Sequence, residues 1–406
     1  MVTTGDGQAP TTDTLQEDRR SRRAQLPKPY PDPEAWNANL KAGLASDLRR
    51  KENYEKFQQA KRSIDVDYLP IRMDVENVSR CNFRCTMCQV SDWGPTYQRA
   101  GDMSVDEFKA LVDEQYGLIE IKLQGMGEPL LGRDTYFEMI RYARDKHIWV
   151  RSTNNGSLLH FKDNYKRLID SGINEVQISI DGATKETFES IRRGSKFELV
   201  MSNCKLINNY CNERRLLRTR MWTVLQQGNV AEILDFVTLA HELGFRRHTF
   251  ALSLSEWGKD RWAQHNRGVT VESTVTPEMA QTAIDIGKGL GVEVTFWDIA
   301  SRYSTNRPDT ICGWPFERSY VSSDMRIVPC CMIADPDALE LGDATKFTEV
   351  WNSDTYREFR RAHLEGRIPQ VCRGCYKNGE GGEQPAGEPV LVDISPGSRT
   401  GRDLAA

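Results

Sequence analysis

The sequence has no apolar run near the roughly 18 residues that a membrane span requires, so no part of it is expected to cross a bilayer. It also lacks a basic excess: 54 Lys and Arg stand against 58 Asp and Glu, a net charge of −4. That balance argues against a protein whose main task is to hold a nucleic-acid backbone, which needs clustered cations. Histidine is scarce, with six copies at no ligand spacing, and these are expected to be structural. A secretory signal is missing too. Residues 1–35 are polar and carry Pro27, Pro29, Pro31 and Pro33, and no apolar segment follows the arginine pairs Arg19-Arg20 and Arg22-Arg23. A cytoplasmic location is therefore expected, where thiols stay reduced and grouped cysteines hold metals or do redox work.

What the sequence does have is cysteine, ten in all and unevenly placed. Five sit as Cys81, Cys85 and Cys88, then Cys372 and Cys375. With 406 residues, 39% hydrophobic and 28% charged, the chain is long enough for one large barrel with an appendage, or for two or three ordinary domains. Residues 1–35 read as disordered and 36–70 as a helical N-terminal extension with an intermittent apolar stripe. From 71 to 291 strands and helices alternate. Strands are expected near 71–77, 118–123, 148–152, 175–180, 218–225 and 247–252, and the helix at Met103–Tyr116 is expected to be capped by Ser104. Such alternation predicts an α/β architecture with a parallel sheet, either a barrel or an open doubly wound sheet. In both, the loops leaving the C-terminal ends of the strands build the site. Residues 292–378 shift to short strands, turns and cysteines, which suggests a smaller second domain. Residues 379–406 read as a disordered tail.

Cys81-Asn-Phe-Arg-Cys85-Thr-Met-Cys88 places three thiols within eight residues, in a loop after a strand. A tetrahedral zinc wants a fourth ligand, and none is near in sequence. A 4Fe–4S cluster on three thiolates keeps one iron open. At this motif the chain resembles the radical S-adenosylmethionine (SAM) superfamily, although Met87 stands where that family usually has an aromatic residue. The resemblance implies a partial (β/α)6 barrel and an open iron that binds the amino and carboxylate groups of SAM. Gly125-Met-Gly127-Glu128-Pro129 is similar to the family's GGE motif, which lines the SAM amino group. By the same resemblance Asn154, Ser179, Asp181, Arg193 and Gln226 are expected to touch SAM.

Cys312, Cys330, Cys372 and Cys375 make a complete set of four ligands for an iron–sulfur cluster or for zinc, and spacing alone does not separate the two. Their setting resembles the SPASM/twitch extension, closest to the shortened twitch form with one auxiliary 4Fe–4S cluster. Asp324-Met325 departs from that family's Asp-Gly. Three cysteines remain. Cys204 and Cys211, seven apart in an expected helix, read as plain thiols, whereas Cys331 adjoins a ligand and is a candidate hydrogen-atom donor.

The resemblance implies an enzyme that cleaves SAM to a 5′-deoxyadenosyl radical and takes a hydrogen atom from a substrate carbon. Its relatives of the butirosin type, and the sugar epimerases, point to dehydrogenation of an alcohol carbon in a sugar or aminocyclitol intermediate of natural-product biosynthesis, with the auxiliary cluster accepting an electron. Epimerisation through Cys331 and maturation of a peptide are the alternatives. Asp298 is a candidate base. The expected partners are a small-molecule substrate and a reductant such as flavodoxin or ferredoxin, with no nucleic acid and no membrane.

Overall fold

In the strands, residues of one parity are apolar and those of the other parity are polar or charged, an unusual pattern for parallel strands, which are commonly apolar on both faces. The computed structural model, which describes residues 26–271, 274–298 and 303–376, shows why. Ten strands form one sheet: β1 (Arg72–Val75), β2 (Glu120–Leu123), β3 (Trp149–Asn154), β4 (Glu175–Ser179), β5 (Thr219–Val224), β6 (Arg247–Ala251), β7 (Glu293–Trp297), β8 (Arg318–Val321), β9 (Arg326–Val328) and β10 (Gly342–Asp343). Their order is β10-β9-β8-β1-β2-β3-β4-β5-β6-β7, with β1 to β8 parallel and β9 and β10 antiparallel.

The apolar parity (Val75, Ile121, Val150, Ile178, Met221, Phe250) is buried against the helices that follow the strands. Each such side chain contributes about 1.5–3 kcal/mol through the water it leaves. The registers Asp74↔Lys122↔Arg151↔Glu175 and Ser179↔Trp222↔Thr249↔Thr295 align the other parity on the inner face. That inner face, called the chamber below, is polar and charged.

Helices lie where periodicity put them, for instance Val105–Glu114, Phe197–Glu213 and Pro277–Leu290. Ser104 caps the first of these through a full capping box with Glu107. Cys204 and Cys211 are both buried on Phe197–Glu213. The N-terminal extension is two helices, Pro33–Ser46 and Leu48–Gln59, broken where Asp47 caps the second.

Two expectations need revision. Residues 26–35 are mostly exposed but tied to the sheet: Phe296 N donates to Pro27 O (2.7 Å), and Arg220 Nη2 donates to Tyr30 O (2.8 Å). A proline-rich segment has few N–H groups to offer, but its carbonyls serve as acceptors at a sheet edge. The expected disorder at 1–25 and 379–406 lies outside the described residues. The sheet also continues past residue 291, because β7 pairs with β6. The second region adds its first strand to the edge of the barrel sheet, because β8 pairs with β1.

Candidate functional site

The loop after β1 carries Cys81, Cys85 and Cys88, all half-buried. It is fastened on several sides. Cys88 N donates to Cys85 O (3.1 Å), Thr86 N to Ile191 O (2.9 Å), and Arg84-Cys85 bridges antiparallel to Arg192-Arg193. Asn82 accepts from Asn155 Nδ2 and donates to Ser157 Oγ, both at 2.9 Å. The cysteine loop is thereby tied to the ends of β3 and β4.

Gly125 and Gly127 are glycines for a reason within the chain. A Cβ on Gly127 would stand 2.3 Å from Val78 O and 2.5 Å from Arg80 O, and one on Gly125 would stand 2.3 Å from Glu76 Cγ. The close approach is to the cysteine loop itself. Glu76, fully buried, accepts from Met126 N (2.9 Å) and Ser323 N (3.3 Å) and pairs with Arg99 (3.4 Å), which in turn bonds Asp324. Sequence reading missed Glu76, although a carboxylate directly after an apolar strand is an available signal. Met325, beside Asp324, has φ +58°, the left-handed conformation that a glycine takes without strain.

Glu128 accepts from Asn155 N (2.7 Å), Asn154 Nδ2 (3.1 Å) and Leu130 N (3.3 Å), and burial pushes its carboxyl up to about 7. Asn154 Oδ1, next to it, is buried with no hydrogen-bond partner. Ser179 and Gln226 are buried; Gln226 Nε2 lies 4.0 Å from Met87 Sδ. Asp181 is fully buried, accepts from Val224 N (2.8 Å) and pairs with Arg192 at 2.6 Å. Arg193 is exposed. The buried cation at this loop is its neighbour Arg192, because alternation along the short bridge sends the two side chains opposite ways.

The second group of thiols is assembled from distant positions. Cys330 stands within electrostatic range of its neighbour Cys331 and of Cys372, Cys375 and Cys312, and Cys372 within range of Cys312 and Cys375. Tyr376 Oη accepts from Cys312 N (2.9 Å), and Ile311, Phe316, Ile368 and Tyr376 form a small apolar cluster beneath. Cys331 faces elsewhere: its neighbours are Asp74, Lys122, Arg318 and Arg151 of the chamber. Asp298, at the end of β7, accepts from Ser253 Oγ (2.7 Å), and Ser253 lines a cavity of about 110 Å³ shared with Met332 and Cys375.

Both thiol groups have the chemistry of iron–sulfur ligands. Burial raises Cys81, Cys85 and Cys88, the last to about 12, and Arg192 opposes that rise at Cys85. A thiolate here gains from added positive charge, which bound iron brings. The orphan acceptor Asn154 Oδ1 fits a ligand that brings a donor, as the SAM amino group does.

The model of the radical SAM superfamily matches residues 78–240, and that of the SPASM iron–sulfur cluster-binding domain matches residues 312–376. The AdoMet-dependent heme synthase of Methanosarcina barkeri is 25% identical over 326 residues, 74% of this chain and 89% of that protein. The mycofactocin maturase MftC of Mycobacterium tuberculosis is 28% identical over 51% of this chain, which spans only half of that protein. Among solved structures, Streptococcus suis SuiB bound to precursor peptide SuiA superposes with a TM-score of 0.56 at 14% identity, covering 76% of this chain and 69% of SuiB. The two domains imply SAM and 4Fe–4S clusters. No helix among the described residues is long and apolar enough to cross a membrane.

Proposed function

We propose that this chain, which carries a radical SAM domain followed by a SPASM domain, oxidises an alcohol carbon of a small sugar- or aminocyclitol-type substrate held in the barrel chamber. Cys81, Cys85 and Cys88 would hold a 4Fe–4S cluster with one position left for SAM, and Cys312, Cys330, Cys372 and Cys375 a second cluster. On one-electron reduction by a flavodoxin or ferredoxin, the bound cofactors supply a 5′-deoxyadenosyl radical.

The chain's residues do the rest. Glu128 and Asn154 orient the SAM amino group, Ser179 lines the cofactor beside them, and the Asp181–Arg192 pair holds a fixed charge beside the cysteine loop. Gln226, against Met87, closes that side. Trp222 and Trp297, half-buried on the inner face with ring centroids 5.9 Å apart, offer flat apolar surface to a ring. The carbinol hydrogen leaves as an atom to form 5′-deoxyadenosine. The hydroxyl proton passes to a base, for which Asp298 is the candidate, and the remaining electron passes to the second cluster, leaving a ketone.

The observation that supports this reading is the run Cys81, Cys85 and Cys88 within the radical SAM match, with Cys312, Cys330, Cys372 and Cys375 within the SPASM match. The test is incubation of the reconstituted enzyme with SAM, reductant and candidate alcohols. One 5′-deoxyadenosine per product and a mass loss of about two hydrogens is the expected result. Unchanged mass with solvent deuterium incorporated would instead establish epimerisation, which the chamber-facing position of Cys331 favours as the second reading. Maturation of a peptide is a third reading, supported by the likeness to mycofactocin maturase.

A further inference from the structure

The inner face of the sheet carries more cations than its carboxylates can match. Asp74 is held by Arg318, Glu120 by Arg72 (3.4 Å) and Arg151 (2.5 Å), and Glu175 by Arg220 (3.4 Å) and Arg247 (3.1 Å). Arg72 also reaches the half-exposed Glu317 at 3.6 Å. Lys122 is left over. It stands at the centre of the register Asp74↔Lys122↔Arg151, half-buried, and its ammonium makes no hydrogen bond and no ion pair within 4 Å, although its backbone carbonyl accepts from Gln124 N (3.0 Å). Its neighbours are Arg151, Asp74, Cys331 and Arg318.

A partly desolvated ammonium without a counter-charge is costly, and fixed guanidinium groups beside it add to the cost. Burial, with Arg151 beside it, outweighs the attraction of Asp74, which Arg318 already holds, and keeps Lys122 below its ordinary value. The surroundings are open to solute: Arg151 keeps 26% of its side-chain surface, and Cys331 and Thr153 are half-buried. Asp74, fully buried, has a second oxygen, Oδ2, with no hydrogen-bond partner. One small region thus presents an unmatched cation and an unmatched acceptor.

We infer that the substrate bears an anionic group, a carboxylate or a phosphate, seated on Lys122 with Arg151 beside it, and turns a hydroxyl or amino donor toward Asp74. This rests on the reading that the chamber is the substrate site, and it narrows that reading. A sugar acid or sugar phosphate matches the chamber. An aminocyclitol whose only charge is an ammonium does not, since it would meet Lys122, Arg151 and Arg318.

Cys331 provides a readout independent of turnover, because it lies beside Lys122 and is not among the four cysteines assigned to the second cluster. The anaerobically reconstituted full chain is alkylated with iodoacetate, an anion, or with neutral iodoacetamide, and modification of Cys331 is followed by peptide mass spectrometry. Both reagents consume the same thiolate, so the ratio of their rates reports the local potential and not the thiol's acidity. Lys122→Gln is expected to lower the iodoacetate-to-iodoacetamide ratio about ten-fold, and Lys122→Arg to retain it, with cluster absorbance checking that each variant is loaded and folded. Inorganic phosphate and acetate are added separately as probes. Either should slow iodoacetate in the wild type and not in Lys122→Gln, and the one that acts at the lower concentration identifies the group. An equal ratio in wild type and Lys122→Gln, failure of both reagents to reach Cys331, or indifference to both probes overturns the inference. The same wild-type preparation, given SAM and dithionite, tests the radical reading by itself. Absence of 5′-deoxyadenosine defeats that reading whatever the alkylation ratio.

Discussion

The two groups of thiols differ in how the chain brings them together. Cys81, Cys85 and Cys88 span eight residues of one loop, whereas Cys312, Cys330, Cys372 and Cys375 span more than sixty. The first group needs little folding to be near each other, but it needs neighbouring loops to hold its shape. Gly127 against Val78 O and Asn82 against Asn155 and Ser157 do this. The second group needs tertiary closure. The chain runs through β8, docked on β1, through the helix Asp354–Leu364, and back to Cys372. Short-range spacing can encode a site directly, while long-range spacing only permits one.

That contrast can be broken in a fixed order of effect. Cys85→Ala should reduce SAM cleavage to background and leave about four irons per chain in place of about eight, read by deoxyadenosine chromatography and iron analysis. Gly127→Ala comes next. Its new Cβ would meet backbone carbonyls that cannot swing aside, at a cost of about 1–3 kcal/mol; expected are a lower melting temperature and loss of iron from the first site only, with SAM cleavage falling in proportion. Iron loss confined to the second site would refute the loop account. Cys372→Ala should also leave about four irons, yet retain substrate-free SAM cleavage while product formation falls at least about ten-fold. If SAM cleavage is lost as well, the two groups are not separable.

The smallest effect concerns the thiol that belongs to neither group. Under the oxidation reading, Cys331→Ala keeps about eight irons and changes the rate of ketone formation by no more than about three-fold. Conversion of an epimerised product into an oxidised or aborted one by this substitution would move the assignment to epimerisation.

Much of this was legible from residues alone. The six barrel strands up to Arg247–Ala251, and the helices between them, follow from periodicity, because each element buries a face of its own period. Ser104 as a cap and Met325 at a glycine-like turn were legible for the same local reason. Other features were not. That Arg192, and not Arg193, turns inward to Asp181 was not legible, since only the bridge to Arg84-Cys85 decides it. Pro27 and Tyr30 looked like part of a loose end, and their carbonyls gained purpose only when β7 and Arg220 came to lie beside them. Glu76 showed no motif, and its role as a hub between three loops exists only in the folded chain.

By itself, then, the sequence determined the elements, their order, the local thiol loop and the glycines after β2, all set by interactions within a few residues. Tertiary structure decided that Cys331 meets Asp74, Lys122, Arg318 and Arg151, and it decided which charges of the inner face pair and that the ammonium of Lys122 makes no ion pair within 4 Å. The physical reason is that charge pairing is a property of space. Asp74, Lys122, Arg151 and Arg318 lie far apart in the chain, and which carboxylate answers which cation is fixed only when the strands take their register.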